Sequence, residues 1–504
     1  MRNDTLHRLV HSLDQGQQRA CKRLLERGDP LNDDGHLLLY TVLQGMETYD
    51  GQQLAHQLKG HRIANNLAVE KMRLYQRMVA QLSLLRKARR TRHDPLHWLD
   101  EATLLLDQGL MDEAAEAATR GISLAMEVED LMTEVQLREV LRIVHKSADR
   151  IKLQTIITDN EYRLETATSK LNRYVRYVQI YDRMHDYHRR FRTSDSESQR
   201  KGMEELMNSA EMRDINLADS LPAQLRYMNT MSLYNDYMGN HAEGLADKMR
   251  LLAMFDRNPK RTTMDQAMYI ATIGSVVGRL NIMGRINEAW PLLQRLEKIS
   301  PTNRKEAMWH FIETERNFTL YFMNTGQLQA ALDREQGVMA GLRKYGTSVP
   351  HSSRITFLYN LGVCYMFTDN HRKAAAYFDR IRQLGILSDR LDLQGMARLI
   401  RLLLLWQNDA QGGFLHYLRN SKRFFKKDHG LYELEQDIYH WLLEPDRAAV
   451  PINEQRGALA TLATRMQVHL EKRRVGAEEV MLWATATSQG RPLNSVFLER
   501  LALQ

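Results

Sequence analysis

The sequence predicts an all-α chain, an α-solenoid of stacked helix pairs, and three observations carry that expectation. Residues 358–381 read Leu358-x-x-Leu361-Gly362-x-x-Tyr365-x-x-x-Asp369-x-His371-x-x-Ala374-x-x-x-Phe378-x-x-Ile381, two apolar stripes at helical spacing on either side of a turn. Copies of the same template recur up and down the chain. Ten prolines and 27 glycines in 504 residues are few, which favours helix over an all-β arrangement.

The first 90 residues are expected to form an N-terminal helical domain. Leu6, Leu9, Val10 and Leu13 recur at helical spacing, and Leu24-Leu25 is followed by the breaker run Gly28-Asp29-Pro30. Asn32-Asp33-Asp34-Gly35 makes a turn that caps a helix from His36 to Gly45. Tyr49-Asp50 opens another helix with Asp50 as N-cap, and Leu67 to Leu85 reads as one amphipathic helix through Leu67, Met72, Leu74, Tyr75, Met78, Val79 and Leu82. Residues 93–198 combine an early helix pair at Ala102, Leu105, Gly109, Ala114 and Ala118 with long helices. No glycine or proline occurs from Ile122 to Lys201, and Leu164, Ala167, Leu171, Tyr174, Val178 and Tyr181 alternate steps of three and four. That is a coiled-coil-type seam. Thr193 to Ser198 is the linker candidate.

The array proper is expected over 199–440. Stepping from Gly362, an aromatic follows three residues on, a turn residue seven on, an alanine twelve on and a large apolar residue sixteen on. The small residue lets two helices approach, the turn residue ends the first helix, and the alanine seats the second. Val277, Leu280, Gly284, Ala289 and Leu293 fit well. Weaker copies run through Thr319, Phe322, Gly326 and Ala331, through Ser232, Asn235, Gly239 and Gly244, and through Leu402, Leu405, Asp409 and Phe414. The alanine positions 244, 289, 331, 374 and 414 give steps of 45, 42, 43 and 40. Polar Asn235 and Glu335 stand at apolar positions, so distortion of those two units is expected. Residues 441–504 form the cap, with Leu459, Leu462, Met466, Val468 and Leu470 covering the last repeat face.

The unit around Gly362 looks like one tetratricopeptide unit, whose usual period is about 34 residues; the units here are longer. The whole chain resembles an uncharacterised bacterial family of cytoplasmic, tetratricopeptide-type proteins of about this length. The resemblance rests on Tyr49-Asp50, on Asn66-Leu67-Ala68-Val69-Glu70-Lys71-x-x-Leu74-Tyr75 and on the unit around Gly109. Towards the C-terminus it rests on Ala397-Arg398-Leu399-Ile400-Arg401-Leu402-Leu403 and Arg423-Phe424-Phe425-Lys426-Lys427. It implies a right-handed superhelix and leaves activity open.

Composition bounds the function classes. Hydrophobic content of 43% and charged content of 26% are those of a folded chain, and no apolar stretch approaches the ~18 residues of a membrane span. Met1 to Leu13 has no apolar run of the secretory kind. Cys21 and Cys364 match no metal spacing and suit a reducing cytoplasm. A net charge of +8 is mild for this length. The phosphate-cradling glycine motifs, His-Glu-x-x-His and Gly-x-Ser-x-Gly are all missing, so neither catalysis nor a cofactor is expected. His93 and His97 flank Pro95, and His185 and His188 end the long seam; packed or solvated histidines explain both pairs better than metal.

Three basic stretches carry a binding reading beside a bland one. Arg86, Lys87, Arg89, Arg90 and Arg92 complement a helix C-terminus, or else form the basic tail of a DNA-reading helix-turn-helix built from 50–58, Gly60 and 67–85. Arg173 to Arg192 interleaves tyrosines with cations, where packing explains the aromatics. Arg419, Lys422, Arg423, Lys426 and Lys427 read as an exposed helix face. In a solenoid the functional surface is the concave groove lined by first helices. The template places Arg226, Asn229, Asp236, Tyr237, Asn281, Arg316, Asn324, Tyr359 and Met366 there, a mixture that suits an extended peptide. The expected function is a non-catalytic cytoplasmic scaffold binding a peptide or protein segment, with self-association through the long helices open. The alternative is a peptide-responsive regulator whose N-terminal helices bind DNA.

Overall fold

A computed structural model describes residues 4–26, 35–88, 90–147, 154–190, 197–385, 390–408, 413–427, 433–443, 452–471 and 474–502. These residues are helical almost throughout and contain no strand. The chain divides into two compact units, Met1–Asn172 and Arg173–Gln504. The division falls inside one long helix and coincides with none of the boundaries expected at 92, 198 and 440. Among the described residues no helix is long and apolar enough to cross a membrane.

In the first unit, α1 (Thr5–Ser12), α2 (Gln15–Glu26), α3 (Gly35–Gly45), α4 (Gly51–Gln57) and α5 (Leu67–Ala88) enclose one core. That core contains Leu6, Val10, Leu39, Leu43, Leu54, Leu74 and Met78. Asp50 caps α4 by accepting from the N–H groups of Gln52 and Gln53 at 2.8 and 3.2 Å. Its neighbour Tyr49 receives the Lys71 ammonium at 3.0 Å, so two of the separated segments quoted above meet. Inside the core, Arg77 donates to His36 Nδ1 at 3.0 Å, which leaves Nε2 to donate to Glu70 at 2.8 Å. A second core lies between α6 (Pro95–Asp107), α7 (Met111–Glu127) and α8 (Leu131–Ser147). The breaker run 28–30 and the turn residues 32–34 lie outside the described residues.

The helix α9 (Gln154–Arg190) follows. Its packed stripe departs from the expected seam: after Ala167 the buried residues are Tyr177, Ile180 and Met184, while Val178 and Tyr181 are only half-buried. The cause is local, since the Tyr177 hydroxyl donates to the Glu211 carbonyl at 3.0 Å and Arg226 lies over the Tyr181 ring. The linker at 193–198 lies mostly outside the described residues.

The second unit continues through α10 (Glu197–Met207), α11 (Ala210–Arg213), α12 (Leu221–Tyr237), α13 (His241–Arg257), α14 (Pro259–Met264), α15 (Gln266–Ile282) and α16 (Ile286–Glu297). Then come α17 (Arg304–Asn324), α18 (Leu328–Asp333), α19 (Glu335–Tyr345), α20 (His351–Phe367), α21 (His371–Gln383), α22 (Leu391–Asn408), α23 (Gly413–Lys427) and α24 (Glu433–Leu443). From α12 to α23 the helices pack on their chain neighbours in most cases, and α15, α17, α20 and α22 also pack in succession on one another, a pattern compatible with a helical repeat solenoid. The turns after α12, α15, α17 and α20 share one device. Gly239, Gly284, Gly326 and Asp369 sit at φ +80, +72, +72 and +57, the left-handed conformation that ends a helix. The template also explains Gly362: a Cβ there would stand 2.8 Å from the Phe378 ring of the facing helix.

Both polar substitutions are absorbed. Asn235 donates to Asp247 at 2.9 Å. Glu335 accepts the hydroxyls of Tyr365 and Tyr377, and the second helix of that unit is broken at Arg334, which pairs with Glu315 at 2.8 and 3.0 Å. At the end of the chain α25 (Arg456–Glu471), α26 (Ala477–Gln489) and α27 (Leu493–Ala502) share one apolar core with α17 to α24, which contains Ile312, Leu361, Leu402 and Phe497. Of the five residues expected in the cap, Leu459, Leu462 and Met466 are buried, Leu470 is half-buried and Val468 is exposed.

Candidate functional site

The expected groove residues are carried by α12, α15, α17 and α20. Ser220 caps α12, with Pro222 in its first turn. Asn303 caps α17 while Glu306 reaches back to Thr302 N–H at 2.8 Å, a reciprocal capping arrangement. The repeat steps of 45, 42 and 43 make Asn229 and Gly274 equivalent to each other, and Asn317 equivalent to Asn360, the second pair standing one residue further along its helices. The three asparagines are buried.

A polar seam runs through this register. Asn229 donates to Leu225 O at 2.9 Å and accepts from the buried Lys248 ammonium. Gly274 leaves the space that the Glu313 carboxylate occupies, and Asn317 donates to that carboxylate at 3.3 Å. Arg279 reaches back from α15 to Asp236 at 3.1 Å and to Ser232 at 2.9 Å. Burial pushes the Glu313 and Asp247 carboxyls up, opposed chiefly by Arg316 for the first and Asn235 for the second. Burial, reinforced by Arg279, drives Lys248 down to about 7 against the pull of Asp236, Asp247 and Glu313. The seam links α12, α13, α15 and α17, and the direction of all three shifts shows that burial of these charges outweighs their pairing.

The predicted groove residues separate accordingly. Arg226, Asp236, Tyr237 and Arg316 are half-buried and Asn324 is exposed. Asn324 donates to Asn281 O at 3.1 Å, joining α17 to α15. Arg316 is paired with Glu313. Four residues depart from the expectation of groove exposure. Asn229 belongs to the seam, and Asn281 is 4% exposed with neither amide atom bonded. Tyr359 and Met366, 3% and 1% exposed, are covered because the C-terminal helices fold back over α20. There the Tyr359 hydroxyl meets Glu479 of α26 at 3.2 Å. Phe367 stacks on Phe497 of α27 with ring centres 4.5 Å apart. The carboxylate of Asp369 takes the N–H groups of Leu493 and Asn494 at 3.1 and 3.5 Å, which caps α27.

Sequence reasoning missed Lys248, Glu313, Arg279 and Gly274. The repeat register does not single them out, because Gly274 has Asn229 as its equivalent in the preceding unit but Arg316 in the following one.

Of the N-terminal basic run, Arg86 and Arg92 are exposed, Arg90 is paired with Asp100, and Lys87 lies 3.8 Å from Asp100. Arg89 lies outside the described residues. Helix α5 packs on α1, α2 and α3, and Ala55 is exposed. In the second stretch, Arg173 and Arg176 pair with Asp219 and Glu211. Arg419, Lys422 and Arg423 are exposed on α23, while the side chains of Lys426 and Lys427 lie outside the described residues. His97 faces Glu101 at 3.4 Å, and no cluster of three metal-ligating side chains occurs among the described residues. Cys21 and Cys364 are both free and buried, and burial pushes the Cys364 thiol up to about 12.

No protein-family model, no curated protein and no solved structure matches the chain.

Proposed function

We propose that this protein is a non-catalytic interaction scaffold of the cytoplasm, a right-handed tetratricopeptide-like solenoid whose groove along α12, α15 and α17 holds a peptide or protein segment. One observation carries the reading. The same residue columns, continued onto α20, already hold a polypeptide segment: α27, capped by Asp369 and stacked on Phe367. A surface that seats one helix of its own chain at one end is suited to seating a foreign segment further along. Upstream, Arg226, Tyr237, Arg316 and Asn324 keep part of their surface open, and Asn324 and the two arginines supply donors for a partner's backbone carbonyls and carboxylates.

The test is site-specific photocrosslinking in the native cell, with a benzophenone side chain placed at Arg226, at Asn324 and, as a control, at Met249 on the exposed face of α13. The reading expects one discrete adduct from the first two positions, lost when Arg316→Ala is added, and none from Met249. Adducts that are equal at all three positions, or indifferent to Arg316, would refute it.

A further inference from the structure

A cleft of about 570 Å³ opens between α7, α8 and α9 in the first unit, away from the residues considered so far. Ile122 and Leu141 form its apolar floor, and Arg138, His145 and Asn160 its polar wall. Asn160 is 5% exposed, and its amide nitrogen donates to the Arg138 carbonyl at 3.1 Å. A carbonyl only accepts, so the amide cannot be turned round, and Oδ1 is left as a buried acceptor with no donor. His145 Nδ1 is likewise buried without a partner, and burial lowers the ring's pKa, which keeps the imidazole neutral.

The charge around these groups is already cancelled. Arg138 is clamped by Glu134 at 2.7 Å, Arg163 by Asp159 at 2.7 Å, and Arg120 is paired with Glu116. An anion finds no free cation in the cleft, and a carboxylate has no proton for Asn160. An ammonium would lose its water without gaining a counter-charge. A neutral group that carries N–H donors together with an acceptor fits both orphaned atoms, whichever tautomer His145 adopts.

We propose that the cleft between α7, α8 and α9 is a binding site for a primary carboxamide, the side chain of glutamine or asparagine on a partner peptide, held by Asn160 and His145. The carboxamide gives one N–H to Asn160 Oδ1. Its second N–H meets the lone pair of Nδ1, or its oxygen accepts from Nδ1–H. The ligand's methylene groups lie on Ile122 and Leu141. This site is independent of the groove proposed above, and either can fail without the other.

The experiment follows the ring nitrogens of His145 by NMR in the full chain labelled at histidine, with His145→Gln to assign the signal. The N-methylamides of N-acetyl-glutamine and N-acetyl-glutamate, which differ only in side-chain carboxamide against carboxylate, are titrated in parallel. The expected result is a saturable shift with the glutamine probe, weaker by about tenfold with the glutamate probe, the scale of one or two lost hydrogen bonds. Asn160→Leu should abolish the difference. Because that substitution also removes the bond to Arg138, Ser123→Trp serves as a second variant: Ser123 is exposed at the cleft, and the indole fills it. Equal, non-saturating responses to the two probes, or saturable binding that survives Ser123→Trp, would overturn the proposal.

Discussion

Lys248 lies in the buried seam with its ammonium on Asn229 and three carboxylates within electrostatic reach. Burial, with Arg279 adding to it, lowers its pKa from 10.5 to about 7. Below pH 7 the folded and unfolded chains both hold the proton, and the group adds no slope to stability. Between about 7 and 10.5 only the unfolded chain holds it, so stability climbs as pH rises through that window. Lys248→Met removes the climb at little cost in packing, since a methionine of similar length replaces a charge that was expensive to bury. Urea midpoints of the two proteins at pH 7 and 8.5 should therefore differ in slope, the native chain gaining relative to the variant at the higher pH. Parallel slopes would show that Lys248 keeps an ordinary affinity for its proton. Nothing in Ala246-Asp247-Lys248-Met249-Arg250 announces this, because a mixed-charge run on a helix usually faces water. Only the contacts that α13 makes with α12 and α15 turn this lysine inward.

At the scale of elements, the turns were the most legible feature. A residue able to adopt positive φ, placed seven positions after the small one, is a local requirement visible in a single copy and reinforced by repetition. Glu335 was legible as an anomaly: a carboxylate at an apolar position forecast a distorted unit, and the helix is broken one residue before it. The fold-back of α26 and α27 was not legible. Tyr359 and Glu479 stand 120 positions apart, and no periodicity within a helix specifies which distant face it covers. Glu479 makes that contact titratable. Burial, aided by Glu478, raises its pKa from 4.5 to about 7, against the hydrogen bond from its own backbone N–H and the Tyr359 hydroxyl. A raised folded value contributes stability that is complete below 4.5 and is lost as pH rises towards 7. Hydrogen exchange of residues 477–489, corrected for its intrinsic pH dependence, should lose protection between pH 5 and 7.5, by up to about tenfold per unit within the window. Glu479→Gln should hold protection level across that range. The same loss in the variant would assign the pH dependence elsewhere.

At the scale of the whole molecule, the sequence pattern divides the chain by repeat copies, whereas the physical division follows where the cores close. The absence of any breaker between Ile122 and Lys201 conceals that division, because one helix continues through it. Each unit nevertheless encloses its own apolar clusters: Leu137 is buried in the first with Trp98 and Ala102, Ile273 in the second with Val277 and Leu280. Cores that share no residues unfold as separate cooperative units when the linkage between them contributes less than each unit's own stability. Calorimetry should then show two transitions. Leu137→Ala, which empties a fully buried site, costs about 2–5 kcal/mol and lowers one of them by roughly 10 °C while leaving the other in place. Ile273→Ala should do the reverse, lowering only the transition that Leu137→Ala spared. The crossed pattern is the informative part, because a single variant that shifted one peak could reflect overlap of unequal transitions. If both substitutions move one shared transition by similar amounts, α9 couples the two cores into one cooperative body, and the unit of folding is the entire chain.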